Sequence, residues 1–183
     1  MSIRLRINHV LRFIKEQNID IICLQETKTE NKYFPISEFI DAGMKHYNFR
    51  GEKSYNGVAI LSKMQIKNKS FKQWCGLEDT RHVSVVLEND IKIHNFYVPA
   101  GGDVPDIKIN RKFYHKINFV KEMTKHFNKV NLKNSVLVGD LNIAPYENDV
   151  WSHKQLLNVV SHTPIETKLL KKLIDDSNWI DVG

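Results

Sequence analysis

The stretch SVLVGDLN, residues 135–142, joins a strongly apolar run to polar groups that follow it at once. A short apolar run bounded by turn-forming residues is typical of a buried β-strand. This strand would present Asp140 and Asn142 at its carboxyl end, which is where a rigid scaffold commonly offers functional groups to a crevice. The stretch therefore predicts an α/β fold with a functional site at this edge of a sheet.

A second acidic group occupies the same kind of position. The apolar run at residues 19–24 reads as another buried strand, and Glu26 follows it in the segment LQETK, residues 24–28. Carboxylate and amide oxygens are the ligands that Mg²⁺ prefers in proteins. Taken singly, each acid is more often a solvated loop residue or a helix cap, and periodicity does not show that Glu26 and Asp140 meet.

The remaining pattern completes a single α/β domain over residues 1–183, with mixed or antiparallel sheets covered by helices. Apolar spacing predicts helices at 3–16, near 37–43, at 109–130 and at 163–175, the last opening with a capping box of Thr163 and Glu166. Predicted strands lie at 46–50, 57–62, 82–87, 91–98 and 135–139. A further strand is expected to begin at 179–183.

Composition restricts the classes of function. Lys and Arg number 27 against 21 Asp and Glu, which gives a net charge of +6. Such a surface suits a polyanion, although many basic proteins have no such partner. Cys23 and Cys75 cannot form a disulfide framework, and Cys23 is expected to be a core residue. No segment resembles a membrane span or signal peptide, so we expect a cytoplasmic protein.

Four blocks together carry a resemblance to a known family. LQETK (24–28), YNGVAI (55–60), NFYVP (95–99) and GDLNIAP (139–145) occur in this order, and the SIRLR at 2–6 and the WID at 179–181 also match. The chain resembles the exonuclease III and AP endonuclease branch of the endonuclease/exonuclease/phosphatase superfamily. The resemblance implies a four-layer α/β sandwich, in which two mostly antiparallel or mixed sheets are flanked by helices, incomplete at both termini.

The resemblance also implies roles for individual residues. Glu26 would be the main ligand of Mg²⁺, for which Mn²⁺ is an acceptable substitute, with Asp140 and Asn142 in the same metal site. Asp140 would activate or orient the attacking water, or help to protonate the leaving oxygen. Asn142 would bind a phosphate oxygen or hold the catalytic array, Tyr97 would reach the scissile phosphate, and Gln25 would support the metal ligands. From the residues alone, Tyr97 is equally well a packed core aromatic and Asn142 an Asx turn.

The implied partner is double-stranded DNA that carries abasic sites or blocked 3′ ends, bound by a monomer. Candidate phosphate contacts are Arg4, Lys28, Lys53 and Arg81, although a solvated role is the commoner one for each residue. Within the superfamily, a phosphoinositide, sphingolipid or nucleotide-tail phosphoester is an alternative substrate. No amphipathic membrane-binding segment favours a lipid.

The chain departs from the family pattern at both ends. Met1 stands where the second Asn of an opening Asn-x-Asn is expected, and the sequence stops before a closing Ser-Asp-His motif. Losing one group of a preorganised catalytic unit is costly. The alternative expectation is therefore a catalytically inactive fragment that retains at most DNA binding and has uncovered sheet edges.

Overall fold

The computed structural model describes residues 2–182. The chain forms five α-helices and seven β-strands within this range, besides two short 3₁₀ turns. In chain order they are α1 (Ile3–Glu16), β1 (Ile21–Gln25), α2 (Ile36–Asp41), β2 (His46–Arg50), β3 (Val58–Ser62), β4 (Ile66–Ser70), β5 (His82–Leu87), β6 (Lys92–Tyr97), α3 (Arg111–Phe127), β7 (Ser135–Asp140), α4 (His153–Leu156) and α5 (Pro164–Asp176).

The strands form two sheets. The first has the order β1-β3-β2 and is antiparallel throughout, with Gln25 and Arg50 both opposite Val58. The second has the order β4-β5-β6-β7, in which only β6 and β7 are parallel. This last pairing sets Tyr97 opposite Asp140. The carboxyl ends of β1, β6 and β7 thereby carry the residues that the sequence singles out.

By Cα proximity the chain divides into two compact units. The first runs to Tyr97 and includes Lys133–Asp140, so it contains both sheets and the first two helices. The second comprises Val98–Leu132 and the chain from Leu141 onward. The prediction of one domain over residues 1–183 stays a prediction.

Strand β3 explains how the first unit is layered. Every residue of β3 is buried, and its side chains alternate between two cores. Val58 and Ile60 join a cluster with β5 and β6, so the two sheets face each other. Ala59 and Leu61 join a cluster with residues of α1 and α2, so these helices cover the other face of the first sheet. The predicted α/β class, with two largely antiparallel sheets and flanking helices, is confirmed.

The second unit is built on α3 and α5. The side chain of Asn110 caps the start of α3 by accepting from Lys112 N and Phe113 N. Thr163 and Glu166 form the predicted capping box at the start of α5, with Pro164 in its first turn. At the far ends of the two helices, the Ser177 hydroxyl donates to Asn128 at 3.0 Å.

Two elements of the structure were not predicted from the sequence, and one predicted strand does not form. Strand β4 was not predicted, because its sequence IKNKS is polar and lacks alternation, as an edge strand permits. The four-residue helix α4 was also missed. The strand expected at 179–183 is wrong for residues 179–182, which adopt no strand, and Gly183 lies outside the described residues. Instead, Trp179 N donates to Ile174 O at the end of α5, and its ring packs edge-on against Phe127 at 5.4 Å.

Two further sequence expectations concern chemistry away from the sheet ends. Burial raises the pKa of the Cys23 thiol to about 12, which agrees with a core residue rather than a nucleophile. Within residues 2–182, no helix has both the length and the apolar character needed to cross a membrane.

Gly139 gives the first testable prediction. Its φ is +134°, and a Cβ at this position would lie 1.9 Å from the carbonyl oxygen of Phe96 in the neighbouring strand. We expect Gly139→Ala to lower the free energy of unfolding by about 3 kcal/mol, since backbone strain and a clash with β6 act together. Gly43→Ala is the matched control: its φ is +92° but its Cβ would meet open space. Urea denaturation should show a clearly smaller loss for the control, and equal losses would contradict the clash.

Candidate metal and nucleic-acid site

Glu26 lies directly after β1, on a segment whose backbone is hydrogen-bonded to the residues that precede β3. Glu26 and Lys28 both have left-handed backbone conformations, with φ of 53° and 49°. The amides of Thr27 and Lys28 donate to Gly57 O at 3.1 Å and Asn56 O at 2.9 Å. A Cβ on Gly57 would lie 2.1 Å from the Thr27 hydroxyl oxygen, so only glycine allows this close approach. The Glu26 carboxylate therefore extends from a fixed backbone.

Two side chains hold the Glu26 carboxylate. The Tyr97 hydroxyl donates a short hydrogen bond to Oε1, and the Lys28 ammonium lies 2.9 Å from Oε2. These contacts, that of Tyr97 first, keep the pKa of Glu26 below its ordinary value of 4.5. The carboxylate is still 44% exposed. Glu26 is thus an ionised, oriented and accessible carboxylate at neutral pH.

Tyr97 is buried, with 7% of its surface exposed. Its pKa is raised to about 12, first by burial and then by its hydrogen bond to Glu26. The negative charge of Asp140 contributes a smaller rise, as expected from the parallel register that places Asp140 beside Tyr97. Glu26, Tyr97 and Asp140 therefore come together at one end of the first unit.

The donor set at this end suits a hard divalent cation. It offers two carboxylates, one partly exposed and one exposed, and Mg²⁺ sites use one or two protein carboxylates completed by water and substrate phosphate. Among the described residues, no three or more His, Cys, Asp or Glu side chains cluster in a way that could hold a metal. An all-protein cage is therefore absent from this part of the chain, and the open two-carboxylate arrangement fits Mg²⁺ better than a closed structural site.

Behind Glu26, a buried amide ties the two sheets together. Gln25 Nε2 donates to Asn95 Oδ1 at 2.7 Å, and Asn95 Nδ2 donates to Leu24 O and Ala59 O at 3.0 and 2.9 Å. Asn95 is fully buried. It thereby fixes the end of β1 against β6, two residues before Tyr97. Sequence reasoning did not assign this role, and β6 gave a weak signal for it, because Asn95 shares the strand with two other polar residues, Lys92 and His94.

Asn142 lies in the second unit, and its contacts there are extensive. Its side-chain amide donates to Val98 O at 2.9 Å, and its backbone carbonyl oxygen accepts from the Lys116 ammonium at 2.6 Å. Its φ is 52°, a left-handed conformation that Asn tolerates. The proposed contact of Asn142 with metal or phosphate stays a prediction.

Comparison with known proteins assigns the chain to a family. Residues 4–167 match the Endonuclease/Exonuclease/phosphatase family. The chain belongs to this family. Among curated relatives, Exodeoxyribonuclease III of Haemophilus influenzae is 26% identical over 81% of this chain and 57% of its own length. The DNA-(apurinic or apyrimidinic site) endonuclease of Dictyostelium discoideum is 24% identical over 78% of this chain and 39% of its own length.

Solved structures agree with this assignment. An AP endonuclease from Archaeoglobus fulgidus superposes with a TM-score of 0.86 and 31% identity, over 95% of this chain and 66% of its own. A 3′-5′ exonuclease (NExo) from Neisseria meningitidis gives 0.84 and 25%, over 96% of this chain and 68% of its own. The resemblance to the exonuclease III and AP endonuclease branch is confirmed. The chain spans about three fifths of the curated exodeoxyribonuclease III that it matches.

The four basic residues predicted to contact DNA occupy different settings in this Endonuclease/Exonuclease/phosphatase family chain. Arg4 lies in the first turn of α1 with its guanidinium 5.5 Å from the Tyr33 ring centroid, and Lys53 is exposed between β2 and β3. Lys28 pairs with Glu26, as described above. Phosphate contact by any of them stays a prediction.

Arg81, the fourth, is mostly buried. Its Nε lies 2.6 Å from Asp79 Oδ2, its Nη1 donates to Tyr97 O at 3.3 Å, and its guanidinium lies 5.0 Å from the Tyr97 ring centroid. These contacts give Arg81 a structural part in holding Tyr97 that the sequence did not indicate. A positive charge at this distance also opposes the rise in the pKa of Tyr97.

The hydrogen bond between Tyr97 and Glu26 has a measurable consequence for pH. Because the pKa of Glu26 is lower in the folded state, its stabilising contribution is present above about pH 4.5 and is lost as the pH falls through the lowered value. We expect Tyr97→Phe to raise the pKa of Glu26 toward 4.5, since it removes the largest cause of the shift. Carboxyl ¹³C NMR titration would measure this. Glu38 is the internal control, because its lowered pKa depends first on Ser37 and should not move. An unchanged Glu26 titration would refute the contact.

Proposed function

We propose that the chain carries the catalytic centre of a Mg²⁺-dependent phosphodiesterase of DNA repair, of the exonuclease III type. The observation that carries this proposal is the Glu26 carboxylate, held by the Tyr97 hydroxyl at the end of the sheets where Asp140 also lies. Relatives named Exodeoxyribonuclease III and DNA-(apurinic or apyrimidinic site) endonuclease support DNA as the substrate.

Glu26 and Asp140 would hold the Mg²⁺, and Mn²⁺, which accepts the same ligands, should substitute. When bound, the ion would offset charge on a phosphate oxygen and on the departing oxygen. Lys28, which pairs with Glu26 Oε2, supplies a positive charge at the same place. Asn142 remains a candidate for the phosphate side of this site.

The residues of the chain perform the proton and orientation work. Asp140, exposed at the end of β7, would orient the attacking water and accept its proton. Tyr97, whose pKa is raised to about 12, keeps its hydroxyl proton at neutral pH, and when DNA binds this one O–H would turn from Glu26 to donate to a phosphate oxygen. The water oxygen bonds to phosphorus, the bond from phosphorus to the leaving oxygen breaks, and that oxygen takes up the proton that Asp140 had accepted, which returns Asp140 to its carboxylate form.

The proposed substrate is double-stranded DNA, cut 5′ to an abasic site or trimmed at a blocked 3′ end. Contacts to the DNA backbone would dominate over contacts to the bases, so binding should weaken steeply as salt rises. A monomer that acts in the cytoplasm stays the expectation from the sequence.

A substrate panel tests the proposal. The purified chain is incubated with three labelled duplexes, which are intact, contain one internal abasic-site analogue, or end in a 3′-phosphate, each with Mg²⁺ or with EDTA. We expect a single nick beside the abasic analogue and removal of the 3′-phosphate, both only with Mg²⁺. The 3′-to-5′ exonuclease activity expected of this type would shorten the intact duplex from its 3′ ends, whereas cleavage in EDTA, or an abasic duplex that is never nicked beside the analogue, would contradict this function.

The same panel separates the alternative of DNA binding without cleavage. A chain of that kind would retard the abasic duplex in a native gel and leave it intact with Mg²⁺. A chain whose substrate is a phosphoinositide or another phosphoester would retard no duplex in the gel, and would hydrolyse that phosphoester when it is supplied separately.

A further inference from the structure

Arg50 combines a close aromatic contact with a side chain that, within residues 2–182, has no polar partner. It is the last residue of β2 and is half-buried. Its guanidinium carbon lies 3.9 Å from the ring centroid of Phe71, the residue that follows β4. Within residues 2–182, no carboxylate forms an ion pair with Arg50 and no acceptor takes a hydrogen bond from its side chain. A guanidinium has five N–H donors, so this cation retains its full capacity for an anionic ligand.

Other basic side chains nearby are differently engaged. On β4, the ammonium of Lys67 pairs with Asp90 at 2.7 Å, and that of Lys69 lies over the ring of Tyr47. The pair of Arg50 and Phe71 is also firmly placed. Asn48, two residues before Arg50, donates to Ser70 O and Ser84 O at 2.9 Å each, which joins β2 to the second sheet just before Phe71. Phe71 is 53% exposed, so a ligand can reach the guanidinium that its ring holds.

The position of this pair relates it to Glu26. In the first sheet, Arg50 and Gln25 both face Val58 across β3, so Arg50 lies at the same end as Glu26. In the second sheet, the end of β4 and the end of β6 lie on either side of the start of β5. Two strand spacings separate β2 from β1, or about 10 Å.

We propose that Arg50, held against the ring of Phe71, is a second binding site for a backbone phosphate of the DNA strand, separate from the phosphate that is cleaved. The proposal rests on the proposed function, since it takes DNA as the ligand. Phe71 orients the guanidinium by a cation–π contact and leaves its N–H groups directed to the ligand. The site adds affinity and fixes the direction of the strand, and it takes no part in the chemical step.

The test measures DNA binding by the whole chain. Fluorescence anisotropy of a short labelled duplex reports the binding, and EDTA is present so that no cleavage occurs. Arg50→Gln removes the charge, and Phe71→Leu removes the ring but keeps apolar volume. Lys45→Gln is the matched control, because Lys45 is exposed, immediately precedes β2, and lies at the opposite end of that strand. Thermal unfolding of each variant verifies that the fold is retained.

We expect Arg50→Gln to bind about tenfold more weakly at about 50 mM salt, and the slope of log affinity against log salt to fall by about 0.9, as for one lost phosphate contact. Phe71→Leu should weaken binding about threefold with an unchanged slope, because the charge stays but loses its orientation. Lys45→Gln should bind like the parent. Equal effects of Arg50→Gln and Lys45→Gln would overturn the proposal.

The outcome also separates this proposal from the proposed function. If the parent binds DNA in EDTA and Arg50→Gln weakens it as described, but Mg²⁺ produces no cleavage, then the phosphate site stands and the nuclease function fails. If the parent cleaves the abasic duplex and Arg50→Gln binds normally, only the phosphate site is overturned. A parent chain that binds no duplex at any salt concentration overturns both.

Discussion

Replacement of Glu26 by Gln should reduce Mg²⁺-dependent cleavage of an abasic-site duplex by about 100- to 1000-fold. Glutamine keeps the size of the side chain and can still accept from Tyr97, but it lacks the charge that a divalent cation requires. The loss should appear in the single-turnover rate at saturating enzyme. Raising the Mg²⁺ concentration should recover part of it, since weaker metal binding is one component.

The matched control for this prediction is Glu30→Gln. Glu30 lies four residues further along the same segment and pairs only loosely with Lys32, at 3.7 Å. Both variants remove one negative charge near the end of β1, so a general electrostatic effect on DNA binding would appear in both. Similar rates for Glu26→Gln and Glu30→Gln would contradict the assignment of Glu26.

The second large effect, a loss of stability, should come from replacing Lys116, whose charged side chain is buried in an ion pair. Its ammonium lies 2.5 Å from Glu166, and neither side chain has any exposed surface. It also donates to Asn142 O at 2.6 Å and Ala100 O at 3.1 Å. Glu166 in turn accepts from Ser161 N with both of its oxygens at 2.9 Å. One buried ion pair thus connects α3, the start of α5 and the loop that carries Asn142.

We expect Lys116→Met to lower the free energy of unfolding by about 3–5 kcal/mol, because it leaves the Glu166 carboxylate buried without its cation. Urea denaturation measures this. Lys121→Met, on the exposed side of the same helix, is the control and should change stability by less than about 0.5 kcal/mol.

A double variant distinguishes the buried charge from lost packing. Lys116→Met with Glu166→Gln removes both charges, so it should be more stable than Lys116→Met alone by about 1–3 kcal/mol. A double variant less stable than either single variant would show that the uncompensated carboxylate is not the cause.

The fold was predictable wherever an apolar run or a capping pattern determined local structure. The apolar residues of β3 predicted its strand, and Thr163, Pro164 and Glu166 predicted the start of α5. The apolar run at 135–139 predicted β7, but the expectation that this strand is buried is wrong, since no residue of β7 is buried and Val136 is 45% exposed. Strand β4 was not predictable, since its identity depends on pairing with β5 and not on its own polar sequence.

The contacts within the candidate site were harder to predict from local sequence patterns. Glu26 and Tyr97 are separated by 71 positions, and only the fold brings the hydroxyl to the carboxylate. No periodicity encodes that contact, and the family resemblance assigned the Tyr97 hydroxyl to the scissile phosphate and not to Glu26. Lys116 occupies a position on the buried face of α3 between Phe113 and Ile117, yet a lysine there is ordinarily assigned to solvent. Its burial follows from Glu166, whose proximity the sequence does not reveal.

The central claim is that the site formed by Glu26 and Asp140, at the end of the sheets, cleaves DNA. Single-turnover cleavage of the abasic-site duplex, measured over a Mg²⁺ titration for the parent chain and for Asp140→Asn, tests this. We expect a single nick that forms with Mg²⁺ and does not form when EDTA is present. We expect Asp140→Asn to bind the duplex without nicking it. A folded parent chain that binds the duplex and leaves it intact, or an Asp140→Asn variant as fast as the parent, would contradict it.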